Sequence, residues 1–311
     1  IPYNPPLFVL SLLGLLIITT FLAGIYPAIM ISAFKPMDAL TGRIAPGKGQ
    51  SSFRTLLVVF QFVISIGLII STLTIFSQLG YMNRKELGYD RENLLYIRMG
   101  EGTAQGYDLF REEVLAHNRI SNLARASSLP SMVMNIVRGM TWEGKTDEET
   151  VAFAFMAADE DLVETLDLKI IDGRDFSQDY PADSGRVVIN REAARVLGYE
   201  DPVGKAILSD SIRIEIVGMF EDFHSLPLSS QIEPMLFLMW PEFYFYTLIR
   251  ITPGDVKEAV TYIEKSWKTV YSGIPFDYGF VDEVIDRQYR SEIRLGKLSG
   301  IFTLLAILIT S

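Results

Sequence analysis

Gly42-Arg43-Ile44-Ala45-Pro46-Gly47-Lys48 matches most of the phosphate loop in which backbone amides and a lysine cradle a nucleotide's phosphates. Such a loop continues with a Ser or Thr whose hydroxyl takes magnesium, and here Gly49 stands in that place. No strand leads into the segment and an apolar run begins at Thr55, so the strand, loop and helix that present a phosphate are missing. The segment reads as a Gly-, Pro- and Ser-rich linker. His224, in Asp222-Phe223-His224, is one of only two histidines, the other being His117. Zinc requires three or four convergent ligands, and the chain has no cysteine and no closely spaced histidine pair. A loop histidine fixing a turn before Pro227 is the simpler reading. The acids at 147–149, 159–161 and 282–283 have the type and proximity of paired carboxylates for acid–base work. They read instead as solvated surface and helix-start charges. Gly-x-Ser-x-Gly is absent and no nucleophile arrangement stands out. The expectation is therefore a chain with no catalytic, cofactor or metal residue.

What the sequence does show is membrane-crossing capacity. Residues 1–34 and 55–83 carry no charge, and a hydrocarbon core of about 30 Å takes roughly 20 apolar residues in a helix. A third uncharged run, from Leu298 to Ser311, is expected to be the start of a longer span. Tyr26-Pro27 should kink or end the regular part of the first helix, which then continues to about Ala33. The first span lacks a basic leader and a convincing cleavage site, so it reads as a retained helix.

The connector at 35–54 holds Lys35, Arg43, Lys48 and Arg54 against one acid, Asp38, and by the positive-inside bias it is cytoplasmic. Residues 83–294 then lie on the other side. Of 28 Lys and Arg and 38 Asp and Glu, only those five residues and Lys297 fall outside 83–294, so the large segment is more acidic than the chain's net −10. An acidic domain gives no footing for nucleic acid, whose backbone needs a basic face. The absence of cysteine excludes disulfides and permits a periplasmic location without proving one.

Within 83–294 the patterning alternates between strand and helix. Residues 78–87 read as a helical stalk ended by Gly88, 91–99 as a strand, and 107–117 as a helix with Leu109, Phe110, Val114 and Leu115 on its apolar side. Strands follow at 120–126 and 151–157, with Asp159 capping a helix through Leu166. Val187 to Ile189 form a strand, Asn190 caps a helix to Leu197, and Gly198 ends it in the left-handed region. Ile212, Ile214 and Ile216 alternate with Arg213 and Glu215 as a one-face strand, the second arm of a hairpin. Strands at 235–239 and 246–251 precede an amphipathic helix at 255–271, with Val256, Val260, Ile263, Trp267 and Val270 on one stripe. A last helix from about Asp282 runs on into the third apolar run. The fold class is a mixed α/β extracytoplasmic domain flanked by transmembrane α-helices.

Val187-Val188-Ile189-Asn190-Arg191-Glu192-Ala193-Ala194, then Leu197-Gly198, Asp201-Pro202-Val203-Gly204-Lys205 and Ile216-Val217-Gly218-Met219-Phe220-Glu221-Asp222-Phe223-His224-Ser225-Leu226, resemble the MacB-like periplasmic core domain of MacB/FtsX-type ABC transporter permeases. The resemblance continues through Pro275-Phe276-Asp277-Tyr278-Gly279-Phe280-Val281-Asp282-Glu283, Tyr289 and Glu292. Upstream, Ala23-Gly24-Ile25-Tyr26-Pro27-Ala28 and Lys35-Pro36-Met37-Asp38-Ala39-Leu40 resemble the end of an FtsX-like membrane unit. This order implies a permease of two FtsX-like units and eight spans. Residues 1–34 would be the helix closing the first unit, 35–54 the cytoplasmic linker, 55–82 the next span, 83–294 the periplasmic core domain with its stalk helices, and 295–311 the start of another span.

The resemblance further implies a multi-pass protein of the inner (plasma) membrane that binds a separate cytoplasmic ABC ATPase and converts ATP hydrolysis into motion of its periplasmic domain. A second copy or homologue of the permease, a periplasmic adaptor and membrane lipid are the further candidate partners. No cofactor is expected in this chain. Lys35, Pro36, Met37 and Asp38 are the candidate ATPase contact, against the plainer reading of an interfacial anchor. Tyr81, Arg84, Asp282, Glu283, Arg287 and Arg290 are the candidate stalk and coupling residues, with Glu283 and Arg287 paired at i,i+4. A membrane-anchored sensor with an extracytoplasmic ligand-binding domain is the alternative that composition and topology also allow.

Overall fold

The computed structural model describes residues 5–32, 48–100, 102–145, 151–209, 212–228 and 230–310. The chain divides into two units, residues 1–68 with 305–311 and residues 69–304.

In the first unit, helix α1 spans Pro5–Ser32 without a charged residue. It runs through Tyr26-Pro27 to Ser32, the last described residue of this segment, so the proline does not end the helix. The hydroxyls of Thr19 and Thr20 donate to the Leu16 carbonyl at 3.0 and 2.7 Å, which satisfies them within the helix. Helix α2, Lys48–Arg84, starts inside the segment expected to be linker. Within α2, Val58–Gln78 is, among the described residues, the one helix long and apolar enough to cross a membrane, with 21 residues at mean hydropathy 2.3 and 11% of it buried. Exposed Leu56, Phe60, Val63 and Leu73 are what lipid would cover, and a core helix would have hidden them. Val9–Phe21 in α1 is a shorter apolar stretch.

The second unit is built on two sheets. Strands β1 (Leu94–Arg98), β2 (Ile120–Ala126), β11 (Tyr246–Ile251) and β12 (Tyr278–Phe280) form an antiparallel sheet in the order β12-β1-β11-β2, with Leu95 opposite both Ile249 and Phe280. Its outer face presents Leu95, Ile97, Leu123 and Ile249 to helices α3 (Tyr107–Leu115) and α6 (Val256–Val270). Phe110 meets Trp267 edge-on at 5.4 Å, and Trp267 is fully buried. Removing so large a core side chain costs about 3–5 kcal/mol. The α3 apolar side is Tyr107, Phe110 and Val114. Leu109, expected on it, is 60% exposed, because neither sheet nor α6 reaches the side of the helix on which it lies.

The larger sheet has eight strands in the order β3-β5-β10-β7-β9-β8-β4, with β6 also on β9: β3 (Ile136–Val137), β4 (Thr141–Trp142), β5 (Phe153–Ala157), β6 (Ile170–Gly173), β7 (Arg186–Asn190), β8 (Ala206–Ser209), β9 (Ile212–Phe220) and β10 (Met235–Leu238). The β5–β10 and β7–β9 pairs are parallel and the rest antiparallel, which makes the sheet mixed. Its inner face, with Val188, Phe220 and Phe237, shares a core with Leu94, Ala124 and Leu248 of the smaller sheet, short helix α4 (Leu162–Thr165) and helix α7 (Val281–Gln288). Part of its outer face is sealed by helix α5 (Arg191–Leu197) through Ala193, Ala194 and Leu197. Asn190 is the cap foreseen: its Oδ1 accepts from the Ala193 N–H at 2.9 Å, and Gly198 at φ 72° closes the helix.

Two helix expectations are corrected. Helix α2 stops at Arg84 rather than running to Leu87, because Leu87 and Tyr89 turn into the domain core and Gly88 takes φ 88°. The last helix is not continuous from Asp282: α7 ends at Gln288, Tyr289 leaves the helical region, and α8 begins at Arg290 and runs to Thr310.

Candidate functional site

The segments joining helix to domain are fastened to the domain by polar contacts. On the entry side, residues 85–89 leave the helix and the Leu87 carbonyl accepts the His224 backbone N–H at 2.7 Å. Gly88 is required there: a Cβ would stand 2.5 Å from the Asp222 carbonyl oxygen, at a φ that side chains avoid. Arg250, on β11, clamps the next residues of the chain, 90–92. Its guanidinium donates to the carbonyls of Asp90 and Glu92, each at 2.7 Å, and to Thr165 at 2.7 and 3.0 Å, and lies 3.1 Å from the Asp90 carboxylate. Burial holds the Arg250 pKa below its ordinary value, yet arginine keeps its charge far above neutrality.

On the exit side, α7 buries Val281, Val284 and Ile285 in the core, Gln288 Nε2 donates to the Ser131 carbonyl at 3.0 Å, and the Tyr289 hydroxyl accepts the Leu228 N–H at 3.0 Å. The break at Tyr289 is thus itself held by the domain. Farther along, the Thr72 hydroxyl of α2 lies 2.8 Å from that of Ser299 and 2.9 Å from that of Thr303 on α8. Thr72 is buried within the apolar stretch of α2, and hydroxyls in such surroundings bond to each other for want of water.

The residues singled out from the sequence divide around this site. Lys35, Pro36, Met37 and Asp38 lie outside the described residues, as do Gly42 to Gly47. Tyr81 and Arg84 belong to the last turns of α2, and Asp282, Glu283 and Arg287 to α7, with Arg290 opening α8. Arg287 Nε donates to the Glu283 carbonyl oxygen at 3.2 Å, not to the carboxylate expected, because the side chain folds back along its own helix. Asp282 Oδ1 accepts the Glu283 N–H at 2.8 Å, within the positive end of that helix. Arg250 and Thr72 were not singled out, Gly88 was read only as the end of the stalk helix, and Tyr289 entered only through the resemblance. For Arg250 the available signal was a lone arginine in the apolar strand Tyr-Thr-Leu-Ile-Arg-Ile.

Asp159 requires a further correction. It is neither solvated nor the helix cap. It is 2% exposed, and the residue at the N-cap of α4 is Asp161. Asp159 Oδ2 accepts the Arg125 backbone N–H at 2.7 Å with Arg125 Nε at 3.4 Å, and Oδ1 accepts the Asp161 N–H at 3.3 Å. The Arg125 guanidinium lies 3.9 Å from the Tyr107 ring centre and 4.7 Å from that of Tyr244, while Arg111 pairs with Asp161 at 2.7 Å. Ala126 and Ala158 bridge beside it, so this cluster ties β2 of one sheet to the end of β5 of the other. Burial pushes the Asp159 carboxyl up to about 7 against the lowering effect of Arg125. His224 is held below its usual range by burial and then by Lys85. Among the described residues, no three His, Asp or Glu side chains are grouped so as to hold a metal ion.

The family model described as the MacB-like periplasmic core domain matches residues 55–265. The chain belongs to that family. This agrees with the resemblance carried by residues 187–226 and with the mixed α/β class, and it places the chain with the MacB/FtsX-type ABC transporter permeases. Similar solved structures include the periplasmic region of MacB from Actinobacillus actinomycetemcomitans, at 14% identity and TM-score 0.44 over 65% of this chain and 95% of that one. A domain of a putative permease protein from Porphyromonas gingivalis shows 19% identity and TM-score 0.43 over 61% and 90%. The extracellular domain of the noncanonic ABC-type transporter YknZ from Gram-positive bacteria shows 12% identity and TM-score 0.41 over 60% and 98%. No curated protein sequence matches the chain.

Proposed function

We propose that this chain is the permease part of an inner-membrane ABC transporter, multi-pass and itself non-catalytic, in which ATP hydrolysis on a separate cytoplasmic ATPase moves the domain at 83–294 in the periplasm. The observation that supports this reading is the fastening of the domain at both ends to its helices. Arg250 and the His224 N–H grip residues 87–92 just beyond α2, while Gln288 and Tyr289 hold the approach to α8. A displacement of α2 is thereby transmitted to both sheets instead of being absorbed in a slack tether. The rigid element on the entry side is short, ending at Arg84, and the element on the exit side bends at Tyr289. Coupling of this kind serves extraction or export of a periplasmic or membrane substrate. A periplasmic adaptor and a second permease copy are the partners such a domain would engage.

Two glycines inserted after Asn83 lengthen the connection between α2 and the gripped residues, at a cost of about 1 kcal/mol of helix propensity each. In the full-length permease with its ATPase, expression and ATPase binding should persist while the transport-linked phenotype is lost. Undiminished transport would show that motion does not pass through this connection. A protein that co-purifies with no ATPase at all would instead favour the sensor reading.

A further inference from the structure

The outer face of the large sheet is only half covered. Helix α5 seals Ile189 and Ile216 with Ala193, Ala194 and Leu197. Beyond it, the same face continues with Phe155 on β5, Leu238 on β10 and Ile214 on β9, and among the described residues no helix lies over them. These three side chains floor a cavity of about 380 Å³. Met140 and Met239 stand beside them, and Trp240, 44% exposed, forms part of the rim. Chains on a water-facing side of a sheet ordinarily alternate to polar residues, so an apolar floor of this extent marks a surface meant to be covered.

We propose that this cavity is a binding site for an uncharged alkyl chain. Three features specify that chemistry. First, among the described residues none that lines it is charged, and an ionic headgroup placed against them would lose its hydration with no counter-charge from them to replace it. Second, the floor runs from β5 across β10 and β7 to β9, three strand spacings or about 14 Å, which suits an extended chain better than a compact ring system. The volume accommodates about a dozen heavy atoms if each takes roughly the 30 Å³ of a liquid water. Third, Gly185, the residue just before β7, lines the slot without a side chain to obstruct it, and a Cβ there would meet nothing within 4 Å. The two methionines add unbranched, adaptable walls. The hydroxyls of Ser184 and Ser209 supply the polar partners for a hydroxyl or ester oxygen at the chain's end.

The test uses the full chain in phosphatidylcholine nanodiscs. One arm adds a diazirine-bearing dodecanol from solution, and the other builds a diazirine-bearing phosphatidylcholine into the disc. After photolysis, mass spectrometry should find adducts on the peptides carrying Met140, Ile214 and Met239. Labelling in the first arm assigns a free alkyl ligand and labelling in the second a membrane lipid, and either supports the site. Unlabelled dodecanol should compete, and dodecanoate, ionised at pH 8, should compete at least tenfold less well. Gly185→Leu, at an open position with an unstrained backbone, should reduce labelling at least tenfold with an unchanged melting temperature. Ile212→Glu, at a rim position 66% exposed, serves the same purpose should the leucine variant not fold. Labelling of these peptides in neither arm, equal competition by dodecanoate, or undiminished labelling in a folded variant would overturn the proposal.

Discussion

Asp159 is an acid whose environment is set by residues far from it in sequence. Its partner Arg125 lies on β2, and the rings flanking that guanidinium come from α3 and from the segment before β11, so its own neighbours Glu160 and Asp161 suggested only a solvated helix start. Nothing local distinguishes it from them. Its carboxyl and that of Asp175 are both pushed up to about 7, each chiefly by burial. Between about pH 4 and 7 the folded protein therefore holds protons that the unfolded chain has released. Stability from these groups is present below the unfolded pKa and is lost as pH rises toward 7, by at most about 1.4 kcal/mol per pH unit for each proton. His224 has the opposite sign, its share declining as pH falls below about 6.5. Asp159→Asn should leave a shallower decline in urea-unfolding free energy between pH 4.5 and 7 than the parent chain shows. His224 is common to both proteins and cancels in that difference. Parallel curves would mean that Asp159 is ionised throughout.

Elements whose signals are local were legible. Asn190 with Gly198 brackets α5 because a cap and a left-handed glycine act within one turn, and Ile212, Ile214 and Ile216 declare β9 by alternation alone. The ends of the helices flanking the domain were not legible, since α2 stops where Leu87 finds the core and α7 stops where Tyr289 finds Leu228, both of them tertiary events. The Thr72–Ser299–Thr303 contact is of the same kind: it joins residues more than two hundred positions apart. It carries a prediction at this scale. The chain has no cysteine, so Thr72→Cys with Ser299→Cys creates a lone pair at a site where the native oxygens are 2.8 Å apart. Mild oxidation should cross-link it nearly completely and produce a faster-migrating band. Thr72→Val should weaken helix pairing by about 0.6 kcal/mol, the average measured for such bonds in membranes. Failure of the cysteines to cross-link would show that α2 and α8 do not meet at this level.

For the whole molecule, the sidedness proposed rests on charge and not on the fold. Four cations against one acid at 35–54 and an excess of acids at 83–294 are the grounds for proposing a cytoplasmic connector and a domain across the membrane. The fold adds a demand of its own. In the proposed transporter, a domain whose two ends are gripped beside α2 and α8 needs both helices to leave from one face of the membrane, with the proposed ATPase acting from the other face for motion to cross between them. Single cysteines at Lys48 and Glu143 test this in the cysteine-free chain, since Lys48 opens α2 and the Glu143 side chain is 83% exposed. In intact spheroplasts an impermeant thiol reagent should modify position 143 and spare position 48 until the cells are broken. Modification of 48 alone would invert the topology, put the gripped domain on the ATPase side, and remove the need for any transmembrane relay through α2 and α8.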